Sequence, residues 1–197
     1  IDELDKFYSS AYWNAYRLGI KPLLRKKDLS HFFILSKFFD FNQAFKRNSS
    51  QPLLFLNFGA GHGGISHLMR IFEFDVANIE YDQMDNIYEY KFNQFKSIKE
   101  FYKNITKKVD IFYSSHSMEH VQNIDDFIDS VQKITDENTI FFIEVPDGDS
   151  PRSGPNINKV EIAHTYYFTK EFFYKFFKEV IYITNTPERK NIKFVDK

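Results

Sequence analysis

Apolar residues along this chain recur in two rhythms. Leu4, Phe7, Tyr8, Ala11, Tyr12 and Ala15 keep helical spacing, and Gly19 and Pro22 close that segment. Asp28 stands where an N-cap belongs, ahead of Leu29, Phe32, Phe33 and Phe39, which predicts a second helix. Polar residues 46–52 read as a loop. From Leu53 onward, short apolar runs alternate with helical stretches, the pattern of a parallel sheet covered by helices. Strands are predicted at 53–56, 76–81, 95–98, 109–115 and 139–145. Ile65, Leu68, Met69 and Phe72 form one intervening helical stripe; Ile124, Phe127, Ile128, Val131 and Ile134 form another. Residues 147–163 carry Gly148, Pro151, Gly154 and Pro155 without periodicity, and a loop this long is more often functional than accidental. Thr169 caps a helix containing Phe172, Phe173, Phe176 and Phe177, and strands at 179–184 and 191–195 are placed to pair as a terminal hairpin.

The junction of the first strand and its helix is the richest in chemistry. Gly59, Gly61, Gly63 and Gly64 follow the buried run directly, letting the backbone turn sharply and approach a ligand. A glycine turn that leads into a helix N-terminus is a nucleotide cradle. Glu80 ends the second strand about twenty positions on, where a ribose-binding carboxylate belongs.

Composition narrows the classes. The 197 residues suit one domain with a substantial core, and a 43% apolar share excludes disorder as the main state. With 24 Phe and 12 Tyr, that core is aromatic-rich. A net charge of −1 gives no reason to expect nucleic acid as partner, and the Lys-rich pieces are short, solvated faces. Without cysteine there is no disulfide framework, thiol nucleophile or Cys-based metal site. No apolar run is long enough for a membrane span, and no secretory signal pattern is present, so the expected location is cytoplasmic.

The order of these pieces resembles the class I S-adenosylmethionine (SAM) dependent methyltransferases, over roughly residues 50–185. The segment 57–63, Asn-Phe-Gly-Ala-Gly-His-Gly, looks like the family's first motif, and Glu80 stands at its ribose-binding acid. Residues 113–121 look like the segment after the fourth strand, where many small-molecule members carry a Glu-His pair, here Glu119-His120. The His-aromatic run 164–169 is similar to one found in members acting on sugars and related metabolites. The resemblance implies an α/β, Rossmann-like fold: a seven-stranded, mostly parallel sheet with helices on both faces and an N-terminal helical cap. Residues 1–197 would form one domain, 1–50 the cap and 51–197 the core. It implies SAM as cofactor, held by Asn57, Phe58, Gly59, Ala60, Gly61, Glu80, Tyr81, Ser114 and Ser115. The acceptor would be a small polar molecule such as a sugar or nucleotide-linked metabolite, placing the protein in carbohydrate metabolism. Asn57 replaces the acid usual two positions before the first glycine; it still accepts a hydrogen bond but offers no charge to the methionine ammonium. For the adenine-binding acid Glu100 is a poor candidate, and Ser97 or a backbone group takes that role.

Methyl transfer mainly requires that nucleophile, methyl and sulfur be held in line, with a base where the acceptor is a hydroxyl. His164 follows the long loop at the carboxyl edge of the sheet, where open α/β folds bind ligands, and is the first choice as base or orienting group. His116, just past the fourth strand, is the second catalytic candidate. Tyr16, Arg17, Glu119 and Tyr166 are candidates to contact substrate, Arg17 by receiving a phosphate or carboxylate. His31 and His67 read as helix packing or surface residues. The His and carboxylate positions lack a compact ligand spacing such as HxxxH, so no metal site is expected. Two alternatives stay open at this level. Gly59, Gly61 and Gly64 also fit the dinucleotide pattern of an NAD-dependent oxidoreductase. The change at Asn57 also fits a non-catalytic module that keeps the SAM fold.

Overall fold

A computed structural model describes residues 24–38, 52–81, 92–149 and 164–183, and the backbone of 193–195. Their contacts form two compact units. The first draws on residues up to 118 and on 123–144; the second on 119–122 and from 145 onward.

The first unit is built on a five-stranded sheet. Strands β1 (Leu54–Phe58), β2 (Asp75–Ile79), β3 (Asn93–Phe95), β4 (Ile111–Ser115) and β5 (Ile140–Glu144) lie in the order β3-β2-β1-β4-β5. All pairs are parallel. The chain winds outward from β1 through β2 to β3, then returns to β4 on the other side. The switch point therefore lies between β1 and β4, where such sheets open a ligand crevice at their carboxyl ends.

Alternation along the strands divides the core between two faces. Leu54, Leu56, Ala77, Ile79 and Phe112 meet Ile98 and Phe101 of α3 (Ile98–Asn104) and Val131 and Ile134 of α4 (Ile124–Ile134). Phe55, Val76, Ile111 and Tyr113 point the other way. They meet Leu35 of α1 (Lys26–Phe38) and Ile65, Leu68 and Met69 of α2 (Gly64–Ile71). Burial of both faces explains why these strands read as unbroken apolar runs.

Several boundaries differ from the sequence reading. Asp28 is not the N-cap of α1: the helix starts at Lys26, and the Asp28 carboxylate turns back to accept from the Arg25 amide at 2.9 Å. The third strand ends at Phe95, because Ser97 caps α3 by accepting from the Glu100 amide at 3.1 Å. The single seven-stranded sheet resolves into five strands plus two. In the second unit, β6 (Val180–Tyr182) and β7 (Lys193–Val195) pair antiparallel with each other in a separate sheet, as the expected hairpin. That unit also holds α5 (Lys170–Phe176), which follows Thr169. Of the expected cap, only α1 lies within the described residues, and it packs as part of one helical layer.

Candidate functional site

The glycine turn forms because β1 must leave the sheet at once. Gly59, Gly61 and Gly63 have φ of +71°, +54° and +71°, a region hostile to other L-residues. At Gly59 space adds to the demand: a Cβ there would sit 1.8 Å from Ser117 Oγ. Loops leaving β1 and β4 thus meet at the switch point. Ser117, which sequence reasoning missed, is that contact. The amides of Gly59 and Ala60 donate to Ile79 O at 2.8 and 3.3 Å. Glu80 completes the cradle: one carboxylate oxygen accepts from the Gly61 amide at 2.8 Å, the other from the Tyr81 amide at 3.0 Å.

Beneath the turn runs a buried polar chain. Asn57 Nδ2 donates to Ser66 Oγ at 2.8 Å, and Ser66 Oγ donates to Asn78 Oδ1 at 2.6 Å. Among the described residues, Asn57 Oδ1 and Ser114 Oγ are buried without a hydrogen-bond partner. Buried polar atoms are rarely left so. An acceptor and a hydroxyl on the adjacent strands β1 and β4 are thus left for a polar ligand. Asn57, Gly59, Ala60, Gly61, Glu80 and Ser114 are therefore brought together. Phe58 instead turns its ring onto Phe127, 5.0 Å between centroids, leaving only its backbone for a ligand. Tyr81 is largely exposed. Ser115 is diverted, its hydroxyl donating to Glu144 Oε2 at 2.6 Å.

Glu144, at the carboxyl end of β5, gathers a second cluster in the same unit. Lys27 Nζ lies 2.7 Å from its Oε2, and His31 Nε2 and His116 Nε2 each lie 3.6 Å away. Burial alone would raise this carboxyl; hydrogen bonds from His31, Lys27 and Ser115 outweigh it and hold the group well below the usual carboxylate range. Burial pushes the Tyr113 hydroxyl far above the phenol range, so it stays protonated. It lies 2.7 Å from His31 Nδ1. His31 is buried, so of packing and surface the structure bears out packing. His116 is half exposed, sits at φ +51°, and donates its amide to Glu144 O at 2.9 Å. Such a conformation in a non-glycine residue marks a position the surroundings enforce.

In the second unit, Glu119, His120 and His164 converge: one ligand-type atom from each lies within 4.8 Å of the others. Glu119 is fully buried. The amides of Thr165 and Tyr166 donate to Glu119 O at 2.9 and 3.1 Å, joining the His164 segment to the short turn Met118–His120. The Tyr166 hydroxyl donates to Gln122 O at 3.2 Å. Spacing in sequence gave no metal site, yet the fold brings three metal-type donors together. Tyr16 and Arg17 lie outside the described residues.

The family model described as "Methyltransferase domain" matches residues 34–180, well over half of the chain. The chain belongs to the methyltransferase domain family. The enzyme is a methyltransferase. Its fold is similar to that of a SAM dependent methyltransferase from Archaeoglobus fulgidus (19% identity, TM-score 0.48, covering 74% of this chain and 71% of that one). It is also similar to magnesium protoporphyrin IX methyltransferase from Synechocystis, solved with bound S-adenosylhomocysteine (13% identity, TM-score 0.43, covering 68% of each chain). A third similar fold is the plantazolicin methyltransferase BpumL (15% identity, TM-score 0.41, covering 68% of this chain and 56% of that one). No curated protein matches in sequence. The family match favours a methyltransferase over the NAD-dependent oxidoreductase alternative. The N-terminus of α2 is also occupied: a Cβ on Gly64, its first residue, would lie 2.5 Å from Asp28 Oδ2, and Asp28 is ion-paired with Arg25 at 3.2 Å. No helix among the described residues is long and apolar enough to cross a membrane.

Proposed function

We propose that this methyltransferase acts on a small polar acceptor, of the sugar or nucleotide-linked class, with His116 as the group that takes the acceptor's proton. The observation that carries this reading is the half-exposed His116 beside the Glu144 carboxylate, at the sheet edge of the unit that holds the glycine cradle. Bound SAM supplies a methyl group already made electrophilic by its sulfonium. Asn57 Oδ1 and Ser114 Oγ, with the amides of the glycine turn, hold the cofactor's polar groups, and Glu80 is the ribose partner. Glu144 steadies the His116 ring and stabilises the imidazolium formed when a hydroxyl gives up its proton. Lys27, His116 and Glu144 make this edge polar and charged, which suits a hydrophilic acceptor.

Incubation with methyl-labelled SAM and a panel of sugars, sugar nucleotides, peptides and lipids tests the acceptor class. Label in a sugar-type acceptor is the expected result; label confined to peptide or lipid overturns it. With the acceptor in hand, His116→Ala should lower kcat about a hundredfold or more while leaving the calorimetric Kd for SAM unchanged. An unaltered kcat removes His116 from the chemistry.

A further inference from the structure

We infer that Glu119, His120 and His164 form a binding site for a divalent metal ion of the zinc class. The donor set is two imidazole nitrogens and one carboxylate oxygen, mutually within 4.8 Å. Around tetrahedral zinc, with bonds of about 2.0–2.2 Å, donors stand roughly 3.3 Å apart, so a modest side-chain contraction closes the site. His120 Nε2 is already 3.9 Å from Glu119 Oε1, and the two rings lie 5.1 Å apart at 54°.

Three further features support a built site rather than a chance meeting. First, the backbone fixes the geometry. Glu119 and His120 are adjacent, and the carbonyl of Glu119 accepts both the Thr165 and Tyr166 amides, which locks His164 beside them. Second, burial is graded. The Glu119 side chain has no exposure, whereas His120 keeps 19% of its side-chain surface and His164 is partly exposed. A carboxylate inside and imidazoles at the rim leave the outer coordination position facing solvent, as three-ligand sites with an exchangeable fourth position require. Third, the chemistry is selective. Neutral imidazoles suit zinc and its borderline neighbours, while calcium and magnesium prefer a shell of oxygens.

The open position of the ion would take an oxygen of a polar ligand. Binding of the metal does not depend on the acceptor reading above. The test is calorimetric titration of the chelator-treated full chain with Zn²⁺ alone, repeated on His120→Ala and His164→Ala, with His67→Ala as a control outside the cluster. One bound equivalent is expected. Each ligand variant should weaken binding about a hundredfold or more, since loss of mere outer-shell partners already costs 10–100-fold. The control should bind as wild type does, and unchanged circular dichroism would show that the ligand variants fold. Absence of binding in the wild type, or equal binding in wild type and both folded ligand variants, overturns the site. Metal binding without methyl transfer to any polar acceptor leaves the site standing and fails the acceptor reading.

Discussion

At the scale of single residues, Asn57 and Glu80 answer different questions. Asn57 departs from the family's usual acid, and the structure gives that departure a partner: its amide donates to Ser66, whose one proton goes to Asn78. A carboxylate at 57 would lose that donor and face a hydroxyl already committed elsewhere. Asn57→Asp is therefore expected to destabilise the fold by about 1–3 kcal/mol, the cost of an unsatisfied buried polar contact. Denaturant unfolding measures this, and an unchanged midpoint would refute the network argument. Glu80 holds the glycine turn through the Gly61 amide and is the proposed ribose partner. Glu80→Ala should raise the Kd for SAM about ten- to a hundredfold, the range of hydrogen bonds to a charged group. Titration calorimetry that returned the wild-type Kd would remove Glu80 from the cofactor site. Glu80 was legible from its distance to Gly59. The diversion of Ser115 to Glu144 was not, because nothing local in a sequence tells which of two adjacent serines faces which neighbour.

At the scale of elements, the boundaries that shifted did so for local reasons. Ser97 and Glu100 make a capping pattern: the hydroxyl takes the Glu100 amide, and the Glu100 carboxylate takes the Lys96 amide at 2.7 Å. That signal outweighed the β-branched Ile98 and ended β3 early. The link between α1 and the carboxyl ends of β4 and β5 was not legible, since Lys27, His31, Ser115 and Glu144 lie far apart along the chain. It has a pH signature. Glu144 is held below its ordinary range, so its contribution to stability is complete above the unfolded value of about 4.3 and is lost as pH falls toward the folded value. Wild-type unfolding free energy should therefore decline as pH drops below about 4.3, whereas Glu144→Gln should be less stable near neutrality and decline less steeply. Urea unfolding over a pH series decides it; parallel declines would show that Glu144 does not link α1 to the sheet.

At the scale of the whole molecule, apolar runs and their spacing were enough for the alternating α/β order, and the glycine turn fixed which sheet edge carries the site. The count of strands in one sheet was not legible. A strand pattern near the chain end says that a hairpin forms, not which sheet it joins, and β6 and β7 pair with each other. The convergence of Glu119, His120 and His164 was hidden for a similar reason: its third member arrives only through backbone bonds to Glu119. The proposed cofactor has a signature at this scale. A ligand that binds only the folded chain stabilises it by mass action, by about 2.7 kcal/mol at a hundred times its Kd. For a chain of this size that is roughly 5–10 °C in Tm. SAM and S-adenosylhomocysteine should each produce that shift. NAD should produce none, because the paired Asp28 and Arg25 side chains take the space at the N-terminus of α2 where its pyrophosphate would rest. Thermal unfolding with each ligand separates the cases, and a shift with NAD equal to that with SAM would overturn the argument.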